Sequence, residues 1–263
     1  MWSAALVIEP ERPAGEPPRP APAFYAHPRI LNRPALRDWW TLLHPPYTLW
    51  HLSYVVIGSC LVGPVDLVRL GGTLLAFFLA VGIGAHALDE LHGRPLRTTI
   101  SSTSLVIAGV VGIGGAAALG VVGIARVGGL LVPFIVVGVV LAVGYNLELF
   151  AGRLHTGPVF AASWGAFPVL TGYYAQHERL SVAAGGAAVF AFFHSRAQRY
   201  LSTPARSLRR KISNVSGTIT GDDGTTYPIE RATLLTPIES ALRSLTWATV
   251  ALAATLAAAR IRR

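Results

Sequence analysis

Charge is scarce in this sequence. Charged residues make up 13% of the 263 positions, Lys211 is the sole lysine, and Cys60 is the sole cysteine. A single cysteine cannot form an intrachain disulfide. Hydrophobic residues instead account for 52% of the chain, and the mean hydropathy is +0.50. This composition predicts a membrane protein rather than a soluble domain.

Seven apolar runs are spread along the chain, each close to the roughly 20 residues that a helix needs to cross the hydrocarbon core. Strands of a membrane barrel would be about ten residues long and would alternate strictly. The runs do not alternate, so we predict an all-α fold, a polytopic membrane bundle of about seven transmembrane helices. The runs are residues 48–68, 71–88, 104–125, 127–147, 157–175, 180–195 and 241–259.

Residues 1–46 have a different composition and contain more than half of the 18 prolines. We interpret them as an extended or disordered N-terminal arm, followed by the transmembrane domain over residues 47–263. Near the end of the arm, Trp39 and Trp40 stand beside arginines, a pattern typical of a short helix at the membrane interface.

The net charge of +9 does not indicate nucleic-acid binding, because the basic residues gather in alternate connections between the runs. This asymmetry is the positive-inside pattern and predicts a cytoplasmic N-terminus. We expect an integral protein of a bacterial or archaeal plasma membrane. The predicted cytoplasmic side collects Arg29, Arg33, Arg37, Arg94, Arg97, Arg153, Arg196, Arg199, Arg206, Arg209, Arg210 and Lys211.

A hydrophilic insertion is predicted over residues 206–236. Two short alternating stretches flank Gly221-Asp-Asp-Gly224, a turn signal, so we expect a small cytoplasmic β-hairpin. Asp222 and Asp223 are better explained as turn-formers than as metal ligands. The hairpin is a candidate docking point for a protein partner.

Small residues recur every four positions in the third run, at Ala108, Gly112, Ala116 and Gly120. Such a stripe favours close helix packing in a membrane. A phosphate-binding loop is a poor alternative, because neither a strand nor a Gly-Lys-Ser/Thr ending accompanies these glycines.

The densest polar cluster, residues 86–97, closes the second run and contains Asp89, Glu90 and Arg94. Ionised groups this close to lipid are costly unless they are paired or used. On a continuing helix, His86, Asp89 and Glu90 are spaced to face one side and to serve a metal or a cation-bound phosphate. A local network of ion pairs with Arg94 or Arg97 explains the cluster equally well.

Two further clusters are predicted on the same side. Tyr145, Asn146 and Arg153 follow the fourth run and offer donors and acceptors, although an ion pair between Glu148 and Arg153 is an alternative. Arg196 and Arg199 follow the sixth run and are suited to clamping a diphosphate, or to contacting anionic lipid. All three clusters can share one vestibule.

Several motifs in this order resemble the UbiA superfamily of intramembrane prenyltransferases. They are His44-Pro-Pro-Tyr-Thr-Leu49, the acidic cluster with Arg94-Pro-Leu96 behind it, the stretch from Tyr145 to Arg153, and Gly165-Ala-Phe-Pro-Val-Leu-Thr-Gly-Tyr173. The resemblance covers about residues 40–205. It implies a helical bundle that binds an isoprenyl diphosphate through Mg²⁺, held by two aspartate-rich loops, and transfers the prenyl group to a lipophilic acceptor.

The sequence departs from this family in two ways. Asp89 and Glu90 remain in the first acidic motif and are the metal ligands and catalytic residues that the resemblance implies. The second aspartate motif is missing, and His194, Gln198 and Arg199 stand in its place. Two carboxylates are enough for a single Mg²⁺.

The sequence therefore predicts a UbiA-like membrane protein, with Arg94, Tyr145, Asn146, Arg153, Arg196 and Arg199 around an isoprenyl diphosphate. A non-catalytic scaffold or lipid-binding protein that kept the fold, and a terpene cyclase, stay open as alternatives.

Overall fold

A computed structural model describes residues 33–261, and within that range the chain is mostly helical. The predicted Pro-rich arm falls largely on residues 1–32, outside the described range. We number the helices by continuous segments, so that α3 includes the π-helical stretch Phe78–Ala85 and α6 joins three pieces. The elements are α1 Pro34–Leu43, α2 Pro45–Ser59, α3 Leu67–Leu91, α4 Ser102–Val127, α5 Gly129–Asn146, α6 (Gly157–Ala161, the π-helical turn Ala162–Ala166 and Phe167–His177), α7 Val182–Arg210, β1 Thr218–Thr220, β2 Thr226–Pro228 and α8 Arg231–Ile261.

Four of these helices, α3, α4, α5 and α8, are long and apolar enough to cross a membrane. Large apolar side chains on their outer faces are exposed, as Val110 and Val122 on α4 and Val136 on α5 illustrate. This arrangement is expected where lipid rather than water is the surrounding solvent. The predicted helical membrane protein is confirmed to that extent, whereas seven transmembrane helices are not confirmed.

The predicted first span, residues 48–68, is too long at its C-terminal end. Helix α2 ends at Ser59, and the chain turns through Gly63, whose φ is +66°, before Pro64. A positive φ and a following proline are both incompatible with a continuing helix. Asp66 then starts α3 by accepting hydrogen bonds from the backbone N–H groups of Val68 (2.8 Å) and Arg69 (3.0 Å).

The predicted stripe of small residues on α4 is confirmed as a packing surface at two positions. A Cβ atom on Gly112 would lie 2.6 Å from the backbone of Gly84 on α3, and one on Gly120 would lie 2.7 Å from Ile135 on α5. The glycines therefore let three apolar helices approach closely.

Helices α2 and α6 form the centre of the bundle. A Cβ atom on Gly58 would lie 2.1 Å from the carbonyl oxygen of Val169, and one on Gly172 would lie 2.4 Å from that of Val55. The Ser59 hydroxyl donates across the same contact to the Gly172 carbonyl at 3.1 Å. Helix α8 packs against α2, and helix α7 packs against both α6 and α8.

The predicted hairpin is confirmed as an antiparallel pair in which Ile219 lies opposite Tyr227. Asp223 accepts a hydrogen bond from the backbone N–H of Thr225 at 2.9 Å, which is the turn-forming role expected of it. The hydrophilic insertion is shorter than the predicted 206–236, because α7 continues to Arg210 and α8 begins at Arg231.

Helix α1 occupies the position of the predicted interfacial segment. Leu42 on its inner face is buried, and Asp38 accepts a hydrogen bond from the Thr99 N–H at 2.7 Å. The helix is thereby attached to the connection between α3 and α4, next to the cluster at residues 86–97.

Candidate functional site

A cavity of about 610 Å³, which we call the basic cavity, opens where several helices end on one side of the bundle. The three polar clusters predicted to share a vestibule each contribute to its lining. The C-terminal turn of α3 supplies His86 and Asp89, the end of α5 supplies Tyr145 and Asn146, and α7 supplies Arg199. The remaining walls come from α2, α6 and α8.

One wall of the cavity is strongly basic. Arg199, Arg206 and Arg210 recur at near-helical spacing on α7, so they lie along one face of that helix. Arg209 and Lys211 complete a set of five cationic side chains, which exceeds the three carboxylates lining the cavity, those of Asp89, Glu148 and Glu239. The excess of positive charge favours an anionic ligand.

Asp89 lies on the cavity as predicted and is in electrostatic range of Arg206 and Arg210. The ion pairs found within residues 33–261 involve other acids, namely Asp66, Glu148, Glu178 and Glu239. Asp89 is therefore the member of the acidic cluster that is placed to contact a ligand.

Glu90 has a different environment from that predicted. Its carboxylate is completely buried and accepts hydrogen bonds from the backbone N–H groups of Leu96 and Thr98, both at 2.8 Å, and from the Thr98 hydroxyl at 2.9 Å. Both carboxylate oxygens are thus engaged in holding the connection to α4. This geometry favours a structural role for Glu90 and does not support the predicted catalytic and metal-binding role.

The predicted arginines divide into two groups. Arg199 lines the cavity, with its guanidinium 4.8 Å from the centre of the Phe160 ring. Arg94, Arg153 and Arg196 are not among the residues that line it. Arg94 instead donates to the Ile100 carbonyl at 2.6 Å and to the hydroxyl of Ser102 at 2.7 Å, which closes the connection after α3.

The other two arginines lie away from the cavity for distinct reasons. Arg153 is exposed in the connection after α5. Arg196 donates to the hydroxyl of Tyr200, four residues further along α7, and stacks over its ring at 5.0 Å. The structure does not bring either side chain to the basic wall, so it does not support their predicted contact with a diphosphate.

The aromatic floor of the cavity is built by Tyr47, Tyr145, Phe160 and Trp164. The Tyr145 ring stacks on His155, with 4.5 Å between centroids. Asn146 donates its amide N–H to the Ala142 carbonyl at 2.7 Å, which fixes the orientation of the amide beside the cavity. Both predicted residues therefore lie where a ligand would contact them.

His44 lies at the junction of α1 and α2, with a φ of +44°. Its ring lies beside that of His86, with 4.8 Å between the ring centroids. Burial, followed by the neighbouring positive charges, holds the pKa of His44 well below its usual range. The His44 ring is therefore neutral at physiological pH, and it does not add to the positive charge of the basic wall.

His51 also lies on the cavity, although it is not among the residues predicted from the sequence. The ring is 2% exposed, and its Nδ1 hydrogen-bonds to the Trp164 carbonyl at 2.6 Å. A usable signal was present in the sequence, because an ionisable side chain within an apolar helix is a candidate functional residue by default.

A second, apolar cavity of about 300 Å³ lies between α3, α4, α5 and α6. Phe77, Ile113 and Phe134 are among its lining residues. Val81 and Trp164 line both this cavity and the basic cavity, so these two side chains form the boundary between the two spaces. Both residues lie in π-helical stretches, which are frequent at functional sites.

Only one of the two predicted Mg²⁺ ligands faces the cavity. In the part of the chain that the structure describes, no group of three or more His, Cys, Asp or Glu residues is arranged to hold a metal ion. Asp89 faces the cavity, but the oxygens of Glu90 are already used by backbone donors. Asp89 is therefore the one member of the predicted ligand pair that remains available, and five cationic side chains line the same cavity.

No family model matches the chain, and no curated protein or solved structure matches it either.

Proposed function

We propose that this protein is a UbiA-like integral membrane protein that binds an isoprenyl diphosphate and transfers its prenyl group to a lipophilic acceptor. The observation that carries the proposal is that a basic cavity and an apolar cavity adjoin, with Val81 and Trp164 as the boundary between them. An amphiphilic anion matches this pair of spaces, with its diphosphate on the arginine wall and its chain in the apolar cavity.

The positive-inside pattern of the sequence supports a cytoplasmic N-terminus and a cytoplasmic position for the basic cavity. In the proposed topology the chain crosses the membrane seven times. In that orientation a water-soluble head group enters from the cytoplasm, and the apolar chain stays within the depth of the membrane. The exposed apolar faces of α4 and α5 are consistent with this arrangement.

Arg199 and Arg206 are the side chains best placed to bind the diphosphate. Guanidinium groups form bidentate hydrogen bonds with phosphate oxygens, and these are stronger in a partly dehydrated site. When the bond between the prenyl carbon and oxygen breaks, its electron pair leaves with the diphosphate, and the arginines stabilise that charge. The acceptor then supplies the electron pair of the new bond to the prenyl carbon and releases a proton to the solvent. The aromatic rings of Tyr47, Phe160 and Trp164 stabilise the positive charge that develops on the prenyl carbon.

Binding of radiolabelled farnesyl diphosphate to the purified protein in nanodiscs tests the proposal. Farnesol serves as the reference ligand without a phosphate. We expect farnesyl diphosphate to bind at least tenfold more tightly than farnesol. Arg199→Gln and Arg206→Gln should each weaken the binding of farnesyl diphosphate by about tenfold. Arg153→Gln, outside the cavity, is the matched control. Equal binding of farnesol and farnesyl diphosphate would refute the proposal.

A non-catalytic lipid-binding protein is the second candidate. Two observations favour this candidate. Both carboxylate oxygens of Glu90 already accept hydrogen bonds, and arginine stands where a second aspartate motif is expected. Each of them reduces the capacity for metal-assisted ionisation of a diphosphate. Release of diphosphate from farnesyl diphosphate, measured in the presence of Mg²⁺ and a membrane lipid extract as acceptor source, separates the two. Tight binding without release indicates the lipid-binding protein.

A further inference from the structure

The polar ring of His51 lines the basic cavity and is hydrogen-bonded to Trp164, one of the two residues that separate this cavity from the apolar one. It is 2% exposed and is carried by α2, next to Tyr47, with 4.4 Å between the ring centroids. Its hydrogen-bond partner is the carbonyl of Trp164, a residue that lines both cavities. A ligand that extends from the basic cavity into the apolar cavity therefore passes this ring.

The sequence of α6 explains why His51 is held there. Pro168 lies four residues after Trp164 and has no N–H, so it cannot donate the usual helical hydrogen bond to the Trp164 carbonyl. The π-helical turn at Ala162–Ala166 alters the pattern further. His51 Nδ1, at 2.6 Å, supplies the donor that this buried carbonyl requires.

This contact determines the tautomer of the ring. A carbonyl oxygen only accepts hydrogen bonds, so Nδ1 must carry the proton. In the neutral ring, Nε2 is then a hydrogen-bond acceptor with a free lone pair.

Nε2 has no hydrogen-bond partner among residues 33–261, although it is buried. The side-chain oxygen of Gln198, on the same cavity, is likewise buried without a donor in the described chain. Buried acceptors are normally satisfied, and leaving one unpaired is unfavourable. Both residues line the basic cavity, and two buried acceptors without donors beside it are complementary to a ligand that carries a hydrogen-bond donor.

We infer that His51 Nε2 binds the hydroxyl group of the lipophilic second substrate, a phenol or a long-chain alcohol. The inference rests on the proposed function in one respect, that the cavity receives a lipophilic acceptor beside the diphosphate. The arginine wall recognises the anion, whereas His51 recognises a neutral donor. The two substrates are therefore bound by different residues of the same cavity.

A matched pair of probes tests this recognition. The phenol 4-nonylphenol carries a hydroxyl donor, and its methyl ether has nearly the same shape without the donor. We expect the wild-type protein in nanodiscs to bind the phenol about fivefold to tenfold more tightly than the ether. Equal binding of the phenol and the ether would overturn the inference, because the hydroxyl group would then form no hydrogen bond with Nε2.

The variant His51→Asn keeps the structural contact and removes the acceptor. An asparagine amide N–H is placed to donate to the Trp164 carbonyl as Nδ1 does, but it has no group at the position of Nε2. We expect His51→Asn to lose the preference for the phenol and to keep the unfolding temperature of the wild type within a few degrees. A preference that persists in this variant would contradict the inference.

A second measurement does not depend on the variant folding. With ¹⁵N-labelled histidine in the wild-type protein, 4-nonylphenol should shift the Nε2 resonance of His51, and the ether should leave it unchanged. Farnesyl diphosphate binding distinguishes the two proposals. If that binding fails while the His51-dependent preference persists, the proposed function is wrong, and the recognition of a hydroxyl group by His51 stands without the role of a second substrate.

Discussion

Arg209 on α7 and Glu239 on α8 form a two-pronged ion pair, in which Nε donates to Oε1 and Nη2 donates to Oε2 at 2.7 Å. The glutamate side chain is 11% exposed, and the pair joins two walls of the basic cavity. Glu239 thus fixes one of the five cations of the wall and connects α8 to the bundle.

Glu239→Ala should destabilise the protein because it leaves the Arg209 guanidinium in a partly buried position without its carboxylate. We expect a loss of about 2–3 kcal/mol, below the range for fully buried pairs. Thermal unfolding in detergent measures it. Glu178→Ala is the control, since Glu178 is 52% exposed and pairs with Arg69, which also donates to three backbone carbonyls. A loss for Glu178→Ala as large as that for Glu239→Ala would contradict the argument from burial.

Glu90 and Asp89 should respond differently to substitution. Glu90→Ala leaves the buried N–H groups of Leu96 and Thr98 without an acceptor, so we expect a loss of roughly 2–4 kcal/mol in unfolding free energy. Asp89→Ala should change the stability by less than about 1 kcal/mol and should alter ligand binding instead. If Glu90→Ala unfolds like the wild type but loses Mg²⁺-dependent binding of farnesyl diphosphate, the metal-ligand prediction is correct and the structural role is wrong.

The contrast between Asp89 and Glu90 shows what the sequence could and could not predict. The polar clusters, their common side and the lining positions of Asp89, Tyr145, Asn146 and Arg199 followed from the order of apolar runs. Which neighbour faces the cavity did not follow, because adjacent residues on a helix point about 100° apart. Asp89 lines the cavity, whereas the carboxylate of Glu90 accepts hydrogen bonds from the backbone of the connection after α3.

Tertiary contacts also decided features that local patterns do not encode. His51 was overlooked because its importance depends on the Trp164 carbonyl, a partner more than 100 residues away in the sequence. Likewise, Arg196 is only three residues from Arg199, yet Tyr200 on the same helix takes its guanidinium. Of the predicted arginines, Arg199 lines the cavity, whereas Arg94, Arg153 and Arg196 do not.

Two glycines on α4 should respond to alanine with opposite signs. A Cβ on Gly112 would lie 2.6 Å from backbone atoms of α3, which cannot yield easily, whereas nothing lies within 4 Å of a Cβ on Gly114. We expect Gly112→Ala to lose about 1–3 kcal/mol through overpacking. Gly114→Ala should gain up to about 1 kcal/mol from helix propensity. Unfolding in detergent measures both, and similar effects of the two substitutions would refute the close approach of α3 and α4.

Stability should depend on pH through Asp66, which caps α3. The backbone N–H groups of Arg69 and Val68, and the charge of Arg69, lower the pKa of Asp66 below its ordinary value of 3.8. Because the folded-state pKa is lowered, the stabilisation is complete above the ordinary value and is lost as the pH falls through the folded-state pKa. The unfolding temperature of the wild type should therefore exceed that of Asp66→Asn at neutral pH, and the difference should shrink on acidification. A difference that stays constant down to pH values of about 3 would show that the Asp66 charge contributes nothing.

The junction between the two cavities should determine which chain lengths bind. At about 0.8 kcal/mol per buried methylene, each isoprene unit that enters the apolar cavity contributes up to roughly 3–4 kcal/mol, so even partial exclusion of one unit is measurable. Val81→Trp places a larger side chain at the boundary between the two cavities. We expect it to weaken the binding of geranylgeranyl diphosphate by at least tenfold and to leave the affinity for dimethylallyl diphosphate nearly unchanged. Val110→Trp, on the lipid-facing side of α4, is the control of equal size. Competition against radiolabelled farnesyl diphosphate provides the affinities. Equal loss for the short and the long chain would mean that the chain does not enter the apolar cavity, and that Val81 acts on the head-group site alone.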